Sequence, residues 1–584
     1  MAEVELKKGR FSSALRSRIH DHYANVPGVA PTYADTKWRE WRENPDVVAY
    51  NAESGNKVVG WIVYNPATST VLDIVSNNVG QGAEMLSQMM DGLLRAQTLV
   101  SAEILKADKH KYQWLVEYGF RPTRSFVVNG FSLLKMDLSI RVLAEKLKGQ
   151  NPVKAYRKKE KVATEKIPAS QTFDEIKRGL DSLINKLGGL QKFVKPGQTV
   201  VIKPNLVADH GMMNGVYKGG VVTDIRLVRA LIELLLPVAA RVSVAEGSSI
   251  NRSATMKMFN LYGYDKLIDL DPKKVRIVDL NTDSVVEKAV PGGKRMLTRK
   301  VPVTLDQADV IINLPVMKLH FAAIVSLAVK SLQGTMPPLE KYMSHFFGLW
   351  QNLINIHHLV KPNLHIIDGL IAQEDFGPVS GTPKTMNLLI GGENPVAVDA
   401  VTMRIMGLEP LTSPPVWLAY MQGLGPIEPE KVSVIGPSIE ELKSPFKRPD
   451  INLASGRDFV IHAGTACPGC AGYLHFAVAK LRRPDPADPT RLLIDRPFER
   501  KVNIYLGPTT DDRINPDETN IFLGICQQHH GELGRHLPGC PPHAEVLLNG
   551  IFSLFPDVER PKYADKTEEA KLEEMLKEVL ASLG

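Results

Sequence analysis

Short apolar runs bounded by Gly, Pro, Asn or Asp alternate along most of the chain with segments whose apolar residues recur at helical spacing. That alternation predicts a mixed α/β architecture. Near the N-terminus, after a charged opening helix, the runs 57–64 and 70–75 read as strands, and a helical pattern continues through Leu94. In the middle, an apparent helix over 173–187 leads into Gln198-Thr199-Val200-Val201-Ile202-Lys203-Pro204-Asn205-Leu206. Proline ends a ladder, so Lys203 and Asn205 fall at the C-terminal end of a buried strand, where open α/β sheets bind ligands. A strand over 242–247 follows, and Asp309-Val310-Ile311-Ile312-Asn313-Leu314-Pro315 repeats the design, leading into Lys318, His320 and Lys330. Towards the C-terminus, strands at 458–462, 502–506 and 520–524 alternate with helical runs at 472–481 and 544–555. They predict a small parallel α/β unit with its functional loops after the strands.

The expected organisation is therefore a multidomain α/β protein. A small α/β domain spans 1–148, and a charged linker spans 149–170, where Lys154, Arg157, Lys158, Lys159, Glu160 and Lys161 crowd together. A central open α/β domain covers 171–440, the proline-rich stretch Ser444-Pro445-Phe446-Lys447-Arg448-Pro449 reads as a second linker, and a smaller unit covers 455–560. Over 563–584, Leu572, Met575, Leu576 and Leu580 at helical spacing predict an amphipathic helix.

Composition narrows the function classes. With 71 basic and 64 acidic residues, the net charge of +7 over 584 residues leaves no dominant field, so nucleic acid is not indicated as a partner. No run of about 18 apolar residues occurs, which predicts no membrane span. The first residues lack the apolar core of a secretory signal, and the expected location is cytoplasmic. Oligomeric state leaves no signal in the pattern.

All four cysteines lie between 467 and 540: Cys467-Pro468-Gly469-Cys470, Gly524-Ile525-Cys526 and Gly539-Cys540-Pro541-Pro542. Clustered thiols in a reducing compartment form a ligand set more readily than a disulfide framework. One pair and two single cysteines differ from the two paired knuckles usual for structural zinc. A proline directly after the last ligand, and glycines that let backbone N–H groups approach sulfide, favour a 4Fe-4S cluster. Zinc and uncoordinated core cysteines are the other readings.

The order Cys-x-x-Cys, Gly-x-Cys, Gly-Cys-Pro-Pro resembles the proximal-cluster motif of nickel–iron hydrogenase small subunits and the related subunit of respiratory complex I, over about 456–556. The resemblance implies that Cys467, Cys470, Cys526 and Cys540 hold the cluster. In the central region, Lys203-Pro204-Asn205, Lys318, His320, Lys330, Gly334, His345, Asn355, Leu364-His365-Ile366-Ile367-Asp368-Gly369 and Asn394-Pro395-Val396-Ala397-Val398-Asp399 resemble, in order, the domain-of-unknown-function family numbered 362. Ser331 and Asp375 depart from that family's usual residues. In the N-terminal domain, Asn77-Asn78-Val79-Gly80-Gln81-Gly82-Ala83 before a helix, and the later Gly119-Phe120, resemble the acyl-CoA loop and closing turn of GCN5-related N-acetyltransferases. The resemblance implies that Asn77, Gly80, Gly82 and Ala83 cradle acyl-CoA; Asn77 stands where that family has Gln or Arg. No clear general base accompanies it.

Together these features predict a 4Fe-4S oxidoreductase or electron-transfer protein acting with a small anionic molecule or a redox partner protein. Lys203, Lys318 and Lys330 would neutralise the anion, and Asn205 and Asn313 would supply fixed donors. Glu246, Asp368 and Asp399 could orient the lysines or hold a divalent cation, and His320 and His345 are candidate proton donors. Asp399 and Asp224 also read as helix caps. With every thiol spent on one site, neither a nickel centre nor a second all-cysteine cubane can be built. The alternatives are an acyl-CoA-dependent acyltransferase with a structural or sensing metal site, and a metallocofactor maturation factor.

Overall fold

The computed structural model describes residues 4–138 and 156–561, apart from 67, 69, 78–81, 97–99, 249–253, 291–295, 297, 465 and 508–513, together with residue 574. Gly80, most of the tail helix expected over 563–584, and residues 149–155 of the charged stretch lie outside the described residues.

A strand, Val4–Gly9, precedes the charged opening helix, which spans Ser13–Ala24. Val4–Gly9 pairs antiparallel with Val48–Ser54, and its alternation turns Val4 and Leu6 towards the core while Glu5 and Lys7 face out. Six residues are too few for charge spacing to separate strand from helix. The strand edges a seven-stranded sheet that continues through Lys57–Asn65, Thr70–Ser76, Ser101–Leu105, Phe131–Leu138 and Phe120–Val128. The parallel neighbours Thr70–Ser76 and Ser101–Leu105 pair only at Thr70–Ser101 and Val71–Ala102. Beyond those pairs the two strands are no longer joined, and the helix Gly82–Ala96 begins six residues after the end of the first.

The central sheet has ten strands. Val275–Asp279, Arg241–Glu246, Thr199–Pro204, Val310–Leu314 and Leu364–Glu374 run parallel. Thr382–Gly392 and Glu160–Lys166 continue the sheet antiparallel, and Val432–Ile435 closes it. The linker expected over 149–170 is thus corrected: Glu160–Lys166 is an interior strand whose Val162, Ala163 and Thr164 are buried while its charged ends reach the rim. The charges at both ends concealed a buried run of only three residues, Val162-Ala163-Thr164. Ser444–Pro449 is likewise no free linker: Ser444 N–H donates to Ile405 O, Phe446 N–H donates to Met406 O, and Phe446 is buried.

The C-terminal unit is a four-stranded sheet, Phe459–His462, Val502–Leu506, Thr519–Leu523 and Arg535–Leu537, parallel throughout. Its first helix starts at Pro468, earlier than the spacing predicts, because proline is pre-organised for the opening position. Cys467 becomes the N-cap and Cys470 lies in the first turn. No helix among the described residues is long and apolar enough to cross a membrane.

Candidate functional site

Three parallel strands deliver the cysteines at one end of the sheet. Cys467 follows Phe459–His462, Cys526 follows Thr519–Leu523, and Cys540 follows Arg535–Leu537. Gly524 and Gly539 take positive φ, which glycine alone adopts without strain. A Cβ on Gly524 would stand 3.4 Å from Cys470 Sγ, and one on Gly539 would stand 2.6 Å from Pro542 Cα. A hydrogen bond with Cys467, then burial, then the charges of Cys467, Cys526 and Cys540 push the Cys470 thiol well up. The four sulfurs therefore share one neighbourhood. Among the described residues, no group of three or more His, Cys, Asp or Glu side chains is placed to hold a metal ion as it stands. A cubane is wider than one ion and takes a thiolate at each corner, so a donor set of four cysteines from separate loops, with glycine keeping the approach clear, accommodates it.

The central unit clamps this site. Cys540 N–H donates to His345 O at 2.6 Å, and Leu349 N–H donates to Cys540 O at 2.9 Å. His345 Nδ1 stands 3.2 Å from Pro541 O, so Nδ1 carries the proton. These contacts come from the junction of helices Pro338–Phe347 and Leu349–Leu359, which buried Arg299 ties together through Glu340 and Asn352. Trp350, 1% exposed, fills the space beneath the first cysteine loop: a Cβ on Gly469 would meet its ring at 3.2 Å and Pro541 at 3.3 Å. Gly472 allows the cysteine helix to touch Phe321 at the turn of the central hairpin Val316–His320/Ile324–Ser326, and the Phe321 ring packs on Tyr473 and Phe476. On the other side, the N-terminal strand Phe120–Val128 packs against Ile525–Leu533, which carries Cys526. Arg299 and Trp350 escaped sequence reasoning because nothing local marks them.

Beside the clamp lies a nest of lysines. Lys203, fully buried, pairs with Glu246 at 2.5 Å and also donates to Pro204 O and Ser331 Oγ. The backbone at Gly334 lies over that pair, since a Cβ there would overlap the Glu246 carboxylate. Lys318 donates to Asn205 Oδ1, Val221 O and Pro378 O, and touches no carboxylate. Lys330, half-buried, donates to Gln333 Oε1. Lys341 joins them, donating to Gly247 O and Asn281 Oδ1. Its signal was available: Lys341 and His345 are spaced to share one helix face.

The remaining predicted residues have mainly structural partners. Asn313 accepts from Ser331 Oγ, donates to Ala328 O, and stands 3.1 Å from His365 Nδ1. Asp399 accepts from Ala328 N–H and Val329 N–H, capping a short neighbouring helix, and burial raises its carboxyl to about 7. Asp368 accepts from Asp224 N–H and Leu370 N–H; burial and the Asp224 charge raise its carboxyl. Neither carboxylate bonds a nest lysine. Asn77 donates to Val58 O, and Ala83 is exposed in the first turn of its helix.

His320 connects the nest to the cysteines. Its Nδ1 accepts from Ala322 and Ala323 N–H, so the proton sits on Nε2. Burial, then the charges of Lys330, Lys318 and His345, hold it neutral. The lysines behave alike: burial, then Lys203, brings Lys330 down to about 8. Burial also brings Lys341 down to about 7, where the attraction of Glu246 and Asp279 offsets only part of the penalty and Lys203 adds repulsion. An unfolded lysine titrates near ~10.4, so above about pH 7 the unfolded chain holds the extra proton, and stability rises with pH up to about 10. Lys341→Met should flatten that rise in urea unfolding measured across the window; an unchanged slope would show that Lys341 is charged throughout.

A family model described as a domain of unknown function, DUF362, matches residues 200–404, the stretch that holds the nest and the clamp. A thylakoid-associated protein of Synechocystis sp. is 27% identical over 280 residues, covering 47% of this chain and 83% of that protein. Similar solved structures, over the N-terminal part, include apo-form YjaB from Escherichia coli (12% identity, 23% of this chain and 96% of that one, TM-score 0.20). An acetyltransferase from Thermus thermophilus gives 13%, 23%, 97% and 0.19. An aminoglycoside acetyltransferase in complex with coenzyme A gives 12%, 25%, 100% and 0.21.

Proposed function

We propose that the protein is an iron–sulfur oxidoreductase or electron-transfer protein in which Cys467, Cys470, Cys526 and Cys540 hold a 4Fe-4S cluster and the central domain holds a small anionic molecule beside it. The observation that carries this reading is the double backbone bond of Cys540 to the central helices, which joins the cysteine loops to the lysine nest. A bound cluster supplies one-electron transfer. The chain supplies the rest: Trp350 and Pro541 pack against the cysteine loop at Gly469, and His320 presents a neutral Nε2–H. Lys203 pairs with Glu246, and burial lowers Lys318, Lys330 and Lys341, so a bound anion would favour the protonated forms of these three lysines. Iron and inorganic sulfide analysis of protein purified without air tests the reading; iron-free protein would remove it.

A second reading is supported by the N-terminal sheet. The parting of Thr70–Ser76 from Ser101–Leu105 leaves an opening beside a helix start, a place where an acyl-CoA pantetheine and pyrophosphate could lie. Acetyl-CoA binding that disappears when Gly80 and Gly82 are replaced by bulky residues favours an acyltransferase; no affinity for CoA removes it.

A further inference from the structure

A cavity of about 310 Å³ opens where the central hairpin, the 444–451 strap and the cysteine helix meet. Its walls include His320 and Phe321 from the hairpin, Arg448 and Ile451 from the strap, and Pro468 and Ala471, which flank Cys470 in the first turn of the helix. The volume lies at the small end of the range for ligand sites.

The two polar side chains among the described lining residues, Arg448 and His320, are both donors. Arg448 is exposed and forms no hydrogen bond or ion pair among the described residues. His320 is 5% exposed, and its Nδ1 is committed to the N–H groups of Ala322 and Ala323 at 3.0 and 3.2 Å. Its Nε2–H therefore remains as a fixed donor with no acceptor among the described residues. The helix starting at Pro468 directs the positive end of its dipole to the same place. No carboxylate is among the described lining residues, and the rest of the wall is hydrocarbon and aromatic. A pocket with a guanidinium, a neutral imidazole donor and apolar walls matches a molecule with one acidic head and an apolar body.

We infer that this cavity binds a small carboxylic acid with an apolar body, its carboxylate held between Arg448 and His320 and its body against Phe321 and Pro468. The assignment names a substrate class for the cluster proposed above and rests on that reading for its redox meaning. It differs from the lysine nest in that none of Lys203, Lys318, Lys330 and Lys341 is among its described lining residues. Arg448 is on the surface, so Arg448→Met leaves the packed core untouched.

Calorimetric titration of the full chain with 3-phenylpropionate, and with the corresponding neutral amide, tests the site, with iron measured in every sample. The acid should bind and the amide should not, and Arg448→Met should weaken the acid on the order of tenfold without changing iron content. No binding of the acid, equal binding of the amide, or undiminished affinity in Arg448→Met would overturn the assignment. Iron present with no acid binding removes the cavity assignment alone. Arg448-dependent binding to iron-free protein keeps the cavity and removes the cluster reading.

Discussion

Glu246→Ala should lower the unfolding free energy of the central domain by about 3–5 kcal/mol, the cost of leaving a buried charge without its partner. Lys203 is fully buried, and its only carboxylate contact is Glu246 at 2.5 Å. Its remaining acceptors, Pro204 O and Ser331 Oγ, are neutral. Glu246 also attracts Lys318 and Lys341, so its removal takes away the main attraction that favours their protonated forms beside Lys203. Glu246→Gln should cost less, because its amide oxygen still accepts from Nζ. Urea unfolding at neutral pH separates the outcomes; a loss under about 1 kcal/mol for the alanine variant would show that the nest is not held by this pair.

Trp350→Ala should cost about 3–5 kcal/mol and also loosen the cysteine site. The indole is 1% exposed and fills the gap between Gly469 and Pro541, so truncation removes the common floor of the loops bearing Cys467, Cys470 and Cys540. Its Nε1–H has no hydrogen-bond partner among the described residues, so the ring contributes by volume. Trp350→Phe should therefore retain most of the stability that alanine loses. The check is a pair of measurements, unfolding free energy and the rate at which a chelator strips iron. Faster stripping in the alanine variant, with phenylalanine close to the parent, is the expected pattern; equal rates in all three would detach Trp350 from the cysteine loops.

Much of this arrangement could be read from residue order. Strands such as Thr199–Pro204 and Val310–Leu314 announce themselves as apolar runs closed by proline, and parallel crossovers put their ends, with Lys203 and Asn313, on one side of the sheet. The cysteine unit was legible for the same reason. Glu160–Lys166 was not, because alternating charges at a strand edge look like a solvated segment until its neighbours are known. Arg535–Leu537 is too short to show any period, although it positions Cys540. The clamp was invisible for a different reason. His345 meets Pro541 across 196 positions of sequence, and no local pattern records a contact of that range. Lys341 fell between these cases, marked by its spacing from His345 but set in a helix that otherwise reads as amphipathic.

The central claim is that four cysteines, locked to the central helices at Cys540, hold a redox cluster. Metal analysis with visible and electron paramagnetic resonance spectra, on protein purified without air and on the Cys470→Ser, Cys540→Ser double variant, addresses it most directly. About four irons per chain, a brown chromophore, and a reducible signal that the double variant lacks are expected. About one zinc per chain and no colour would contradict it and make the cysteine unit structural.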